Sequence, residues 1–486
     1  MWEYQIYEDM NSEKILSIFK EITRIPRESG HEEKIVEYLV KFAETHGLEC
    51  KTDAARNVVI MRPASPGFEN RPTIVLQGHT DMVCEKNAGV EHDFAKDPIN
   101  YVVEDGWMTA KDTTLGADCG IGVAAELAAL IDPAPCGKLE CLFTSSEETG
   151  MDGAFGLGPG FITGKILINL DSEDEGELFV GCAGGIDTTA VFEYNPVPLP
   201  PHDLTSFQVR IFNGVGGHSG DDINKGRANA VQLLSRFLYE CLSSDDFKLI
   251  LCGIDGGNKR NAIAREASAT VAISGDEGAF KSLWNRFSAD VKGEFSTTEP
   301  GLSFALETAQ LPATAINGDT VHRLISGLYA APHGVLAMSA DIPGLVETST
   351  NLASVKMQKG GKVRVGTSQR SSIDSARRAA AAKVEAVFML AGAEVTHEGE
   401  YPGWKPKLDS EILRRCVASY KKLFGKEPAV KAIHAGLECG LFLEKYPDLD
   451  MISFGPTLRG VHAPGERLDL ASLDKFTLLL DDVLHN

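Results

Sequence analysis

Basic side chains are the scarce class in this chain. Among 486 residues, 47 Lys+Arg stand against 69 Asp+Glu, a formal charge of −22. Such a surface repels phosphate backbones and anionic headgroups, so neither nucleic acid nor membrane is an expected partner. Long apolar runs are missing too: the stretch from Ile121 to Ile131 is interrupted by Glu126 and is too short to span a bilayer. The ten cysteines form no C-x-x-C pair and no framework spacing, so they read as reduced, buried thiols of a cytoplasmic protein. Met1 to Asp9 carries neither the basic nor the apolar segment of a signal peptide, so none is expected. No G-x-S-x-G elbow and no P-loop occurs, which removes the Ser hydrolases of that type and the P-loop nucleotide enzymes. No internal repeat or low-complexity tract is present.

The acidity that is present is unevenly spread. Residues 188–395 hold 21 Asp+Glu and 20 Lys+Arg, a net of −1, which leaves −21 for the remainder. A nearly neutral middle between acidic flanks points to an inserted domain. In the first flank, apolar residues at helix spacing run from Ile15 to Ile25, and a second helix runs from Glu32 to His46. Short apolar strands follow at 57–61, 73–76, 139–143 and 165–170, with an Ala-rich helix at 121–130 between the second and third. This alternation predicts an α/β sheet flanked by helices. After the Pro-rich break at 195–201 the pattern changes, with strands at 207–212, 267–273 and 362–365 and helices at 229–242, 280–293 and 372–390. That order suits a separate α+β domain. Tyr401-Pro-Gly-Trp404 marks a return to the first. The expected division is therefore 1–187 and 399–486 for one domain and 188–398 for the insert.

Polar residues recur where predicted strands end. Gly78-His79-Thr80-Asp81 follows the strand at 73–76, and two residues of separation in an extended chain put His79 and Asp81 on one face. The carboxyl edge of such a sheet is where α/β proteins place ligands. Asp118 stands at the mouth of the Ala-rich helix, where an N-cap is the plain alternative. Glu147-Glu148 end the strand at 139–143, and adjacent carboxylates repel unless a cation or proton intervenes. Asp171 follows the strand at 165–170. His462 lies in the Gly/Pro loop from Gly460 to Glu466. Together these offer two imidazoles and several carboxylates, a ligand set for a pair of Zn²⁺-like ions roughly 3.5–4 Å apart, with one carboxylate left over as a general base.

That order of residues resembles the co-catalytic zinc aminopeptidase/carboxypeptidase superfamily, which includes aminoacylase and carnosinase. Longer strings are similar to the cytosolic aminoacyl-histidine (Xaa-His) dipeptidases within it. They are Leu115-Gly-Ala-Asp118-Cys119-Gly-Ile-Gly122, Glu147 to Leu157, Gly181 to Asp187, Gly216-Gly-His218-Ser-Gly220, Arg260-Asn-Ala-Ile263, Tyr401 to Trp404 and His434 to Phe442.

The resemblance implies a zinc-peptidase catalytic domain with a central mixed sheet, plus an inserted α+β lid and dimerisation domain. It implies that His79 and Asp171 bind one Zn²⁺, that Glu148 and His462 bind the other, and that Asp118 bridges both; Co²⁺ or Mn²⁺ are candidate substitutes. Asp81 would orient His79. Glu147 would be the general base that takes a proton from a bridging hydroxide's parent water and passes it to the leaving amine. His218 would steady the oxyanion, while Asn261 and Arg370 would hold the substrate's carbonyl and carboxylate. Glu438 is open between a contact to the substrate's amino end and a structural role. Cys119 is a departure, since relatives often carry Asn there. The expected activity is hydrolysis of unblocked dipeptides, preferably Xaa-His and including β-alanyl-histidine, by a cytoplasmic homodimer. An N-acyl-amino-acid deacylase or carboxypeptidase on the same scaffold, and a catalytically silent metal-binding protein, are the alternatives.

Overall fold

A computed structural model describes residues 10–132, 134–200 and 203–486. Met1–Asp9 and the last residue of the Pro-rich break, Pro201, lie outside the described residues. The chain divides into two compact units. One comprises Met1–Gly181, Trp404–Ala432 and Leu437–Asn486; the other comprises Cys182–Gly403 and Ile433–Gly436. Boundaries at 187/188 and 398/399 would cut the strands Gly184–Glu193 and Glu394–Tyr401, which pair with each other (Glu394 opposite Val191). A shift in composition does not reveal strand pairing, so it misses the edges by a few residues.

In the first unit, the opening helix spans Ser12–Ile22 and buries Ile15, Ile18, Phe19 and Ile22 along one stripe, with the Asn11 side chain capping Lys14 N. It stops short of the expected Ile25 because Pro26 disfavours helical geometry in the residue before it. The helix Glu33–His46 ends on Gly47 in the left-handed region (φ +65°).

The larger sheet of this unit has eight strands. In spatial order they are Glu49–Thr52, Val58–Arg62, Leu139–Thr144, Ile74–His79, Ile166–Asn169, Asp450–Ser453, Glu177–Cys182 and Ala429–Ile433. The sheet is mixed. Leu139–Thr144, Ile74–His79, Ile166–Asn169 and Asp450–Ser453 run parallel to one another. Their register aligns their ends: His79 faces Thr144, Gln77 faces Asn169, and Asn169 faces Ser453. The segments that follow these four strands carry Asp81, Glu147-Glu148, Asp171 and His462. The Ala-rich helix, Ala117–Ile131, is buried on all sides, as its nearly uniform apolar sequence requires.

The second unit is built on a nine-stranded antiparallel sheet with the helices Ala230–Leu242, Glu277–Glu294, Gly318–Ala330 and Asp374–Leu390. Its core holds an aromatic cluster in which the Phe237 ring meets Phe280, Trp284 and Phe287 at centroid distances of 5.8, 4.8 and 5.2 Å.

Candidate metal centre

The strand Ile74–His79 is buried along its whole length, so its last residue, His79, emerges with its ring fixed. His79 is 1% exposed and Asp81 is 0% exposed. The Asp81 carboxylate lies 3.3 Å from His79 Nδ1, accepts the Ser29 hydroxyl at 2.6 Å, and accepts the amides of Glu147 and Glu148 at 3.0 and 3.2 Å. One side chain thus orients the imidazole and fixes the strand end that carries both glutamates. Burial opposes ionisation of Asp81, but the His79 ring, the Ser29 hydroxyl and the Glu147 amide bring it down to about 2.

Asp118 is positioned by a different device. Glu466, 2% exposed, accepts four successive amides: Leu115 and Gly116 on one oxygen (2.8 and 2.9 Å), Ala117 and Asp118 on the other (2.8 and 3.2 Å). From below, the buried Arg27 guanidinium donates to the carbonyls of Thr80, Asp81 and Gly116. Gly116 sits at φ +70°, and a Cβ there would collide with Arg27 and Met82. The Asp118–Cys119 peptide bond is cis. Nothing in the sequence pattern assigns Arg27, Ser29 or Glu466 a role. The only signal is that Glu466 shares a Gly/Pro loop with His462.

These supports bring five candidate ligands together. His79 Nε2 lies 3.1 Å from Asp118 Oδ1 and 3.4 Å from Asp171 Oδ1. His462 Nε2 lies 3.0 Å from the other Asp118 oxygen and 2.9 Å from Glu148 Oε2. Asp118 therefore stands between an imidazole–carboxylate pair on each side. His462 itself adopts φ +61°, a conformation uncommon outside glycine and one that clusters at functional sites.

The electrostatics follow from this crowding. Burial works against Asp118, yet hydrogen bonds from His462 and His79 hold it far below the usual carboxylate range. Burial, reinforced by Asp118, lifts Asp171 to about 6 against the pull of His79. Hydrogen bonds to Asp118 and Glu148 raise His462 to about 11. Burial lowers the pKa of His79, but Asp171, Asp118 and Asp81 hold it well above the ordinary imidazole value. Glu148 Oε1 is buried with no hydrogen-bond partner among the described residues. Two imidazoles, several carboxylates and an orphaned buried oxygen fit a pair of divalent cations of the Zn²⁺ type.

Glu147 is half-buried beside this cluster. Burial, with Asp171, Glu438 and Glu148 nearby, pushes its carboxyl well above the ordinary range, against the pull of His79. Glu438 accepts Gln77 Nε2 and Thr144 Oγ1, each at 2.7 Å, through one oxygen. Its other oxygen has no partner among the described residues, and burial lifts it to about 7.

The remaining candidates group in the second unit. Asn261 and Arg370 line one cavity of about 400 Å³, with Asp187, Arg260 and Tyr401. Arg370 donates to Tyr401 Oη at 3.2 Å and Ser219 Oγ at 3.3 Å, and the Ser219 amide donates to the Asn261 carbonyl at 2.8 Å. His218 precedes Ser219, and its Nδ1 lies 3.3 Å from the Asp221 carboxylate. In the sequence, Tyr401 and His434 stand out only as members of longer strings. In the structure Tyr401 holds Arg370, and His434 Nε2 lies 2.7 Å from Ser349 Oγ. Burial, aided by Arg370, brings His434 down to about 4.

Imidazoles and carboxylates converging at the carboxyl edge of parallel strands define a metal-dependent hydrolase. The chain belongs to peptidase family M20/M25/M40, whose sequence profile matches residues 75–486. It is 40% identical over 477 residues to the cytosol non-specific dipeptidase of Escherichia coli (strain K12), covering 98% of both chains. The crystal structure of aminoacylhistidine dipeptidase from Vibrio alginolyticus superposes with a TM-score of 0.88 at 40% identity, covering 97% of this chain and 96% of that one. A tripeptidase from Staphylococcus aureus shares the fold at 17% identity, with a TM-score of 0.55 and 98% of both chains covered. The chain is thus an enzyme of the metallopeptidase class with dipeptidases as homologues.

Proposed function

We propose that this chain hydrolyses the peptide bond of unblocked dipeptides, Xaa-His among them, with two Zn²⁺ ions as cofactors. The observation that carries this reading is Asp118, whose two oxygens each meet an imidazole backed by a second carboxylate. His79 and Asp171 would hold one cation, Glu148 and His462 the other, and Asp118 would bridge them. When bound, such a pair lowers the pKa of water and polarises a substrate carbonyl.

The chain's own groups do the rest. Asp81 fixes the His79 ring and, through two amides, the strand end bearing Glu147 and Glu148. Glu147 is the one carboxylate of the Glu147-Glu148 pair left free of ligand duty. It takes a proton from the attacking water and returns it to the leaving amine, which needs a base whose pKa is raised toward neutrality. Arg370 and Asn261 bind the carboxylate and carbonyl of the substrate, and His218 steadies the developing oxyanion. Support for dipeptides comes from the two relatives at 40% identity, one named for non-specific dipeptides and one for aminoacyl-histidine. The name of the first also supports a cytosolic setting, and no helix among the described residues is long and apolar enough to cross a membrane. We assign the second unit the role of lid and dimerisation domain.

A substrate panel tests the reading. The zinc-loaded chain should cleave Gly-His, β-alanyl-histidine and other free dipeptides far faster than N-acetylated amino acids or tripeptides. A preference for the N-acetylated set would make it a deacylase instead. Full activity in a chain shown to be metal-free would overturn the cation assignment.

A further inference from the structure

We propose that Cys119 is a fourth protein ligand of the cation held by His79, Asp171 and the bridging Asp118, so that the two cation positions differ in softness. This rests on the two-cation reading above. The Cys119 sulfur, a ring nitrogen of His79 and a carboxylate oxygen of Asp171 all lie within 4.8 Å of one another. Donors this near need to draw in only slightly to share one cation, whose ligands stand at roughly 2.0–2.3 Å. The other such group among the described residues draws on His79, Asp118 and Glu148, with nitrogen and oxygen donors only.

The fold makes room for the thiol and gives it little else to do. A Cβ on Gly78 would stand 3.0 Å from the sulfur, and one on Gly122 only 2.6 Å away, so two glycines leave the space it occupies. Cys119 is 1% exposed, and among the described residues its S–H meets the Leu170 carbonyl alone, at 3.6 Å.

A second feature points to the same place. Glu126 is 0% exposed, and neither of its carboxylate oxygens has a hydrogen-bond partner among the described residues. Its Oε1 and the Cys119 sulfur each lie 3.0 Å from the Cβ position over Gly78, so they flank one small space. A buried acid with an unused O–H is costly, and native interiors rarely keep one. A cation-bound thiolate that settled into this space would give that O–H an acceptor. Ligation replaces the S–H bond by a sulfur–metal bond, and the proton leaves to bulk water. A thiolate favours Zn²⁺ and Cd²⁺ over Mn²⁺, whereas the position of Glu148 and His462 offers only oxygen and nitrogen and exchanges harder ions more readily.

Zinc X-ray absorption on the full chain, loaded with two equivalents of Zn²⁺, tests this. The expected spectrum has a sulfur shell at about 2.3 Å beside the nitrogen and oxygen shell at about 2.0–2.2 Å. Cys119→Asn should remove the sulfur shell and lower the Cd²⁺-over-Mn²⁺ preference roughly tenfold or more. Two zinc ions bound through nitrogen and oxygen alone would overturn the thiolate ligand and leave the two-cation reading standing. A sulfur shell that survives in Cys119→Asn would overturn it as well. A chain that takes up no zinc would overturn both. The wild-type spectrum decides even if the variant fails to fold.

Discussion

The two units handle buried charge in opposite ways. In the first, carboxylates crowd one strand edge and outnumber the imidazoles beside them, so the site calls for added positive charge. In the second, the cavity holding Arg370 already contains its cation, and Arg370 is 7% exposed and held by neutral hydroxyls of Tyr401 and Ser219. Under the proposed function the contrast says what each unit would bind: the first divalent cations, the second an anionic group. Net charge alone does not show this. The segment 188–395 is nearly neutral, and what matters is which charge is buried without a partner of opposite sign.

The contrast is tested hardest at Glu147, the carboxylate of the acidic centre proposed as base and not as ligand. Glu147→Gln should lower turnover by roughly 10²–10⁴-fold while both metals stay bound. Turnover assays and metal analysis on the same sample check this. A variant that works at near-normal rates would remove the proposed base; one that loses a metal would make Glu147 a ligand.

Glu466 sharpens the same side. Its two oxygens accept four backbone amides that lead into Asp118. Gln supplies one acceptor oxygen and turns an NH₂ toward amides that need an acceptor. Glu466→Gln should therefore lose about 3 kcal/mol of stability in urea unfolding and weaken metal affinity with it. If stability falls and metal affinity does not, the clamp supports the fold without placing Asp118.

The second unit should respond to acid through a group of its own. His333 Nδ1 accepts the Leu352 amide at 3.2 Å and Asn229 Nδ2 at 3.4 Å, contacts that a protonated nitrogen cannot accept. Burial lowers its pKa from 6.5 to about 4. The folded state therefore binds fewer protons than the unfolded one in this window. The contribution is full above about pH 6.5 and is lost as pH falls toward 4, up to roughly 2–3 kcal/mol. Urea unfolding of the metal-free chain between pH 7 and 4.5 should show this slope, and His333→Gln should reduce it, leaving the share of His434, which burial also lowers to about 4. An unchanged slope in the variant would assign the acid sensitivity elsewhere.

How much of this could be read from the residues differs between the units for a physical reason. His79, Glu147-Glu148 and Asp171 directly follow apolar strands, so a local pattern locates them, and parallel pairing then brings the strand ends together. Asp118 and His462 needed the longer strings, since a lone Asp at a helix mouth or a His in a Gly/Pro loop has ordinary explanations. The clamps made by Arg27 and Glu466 were not legible. Glu466 acts on residues some 350 positions away (|i−j| from 348 to 351), and backbone amides leave no trace in side-chain patterning. The strand Val346–Gln358 is not legible either, because its polar run Glu347-Thr-Ser-Thr-Asn351 hides a largely buried strand whose Thr350, Asn351 and Ser349 are all nearly inaccessible. There, Gln369 on the antiparallel neighbour donates Nε2 to Thr350 Oγ1, and Asn351 Nδ2 donates to the carbonyls of Arg260 and Ala262 in the loop after the strand Phe247–Gly256.

The smallest expected effect falls on the cationic side and decides whether that cavity is a binding site at all. Arg370 presents a planar fork that matches a carboxylate, while Lys would present one point charge and lose the bonds to Tyr401 and Ser219. If the cavity binds the substrate's carboxylate, Arg370→Lys should raise KM for a free dipeptide by about tenfold, the weight of one charge-assisted hydrogen bond, with a smaller change in kcat. The same variant should leave KM for the C-terminally amidated dipeptide nearly unchanged, because that substrate offers no charge to lose. Equal losses on both substrates would reduce Arg370 to a prop for Tyr401 and Ser219. The second unit's buried cation would then be structural, and the contrast between the units would be one of packing and not of ligands.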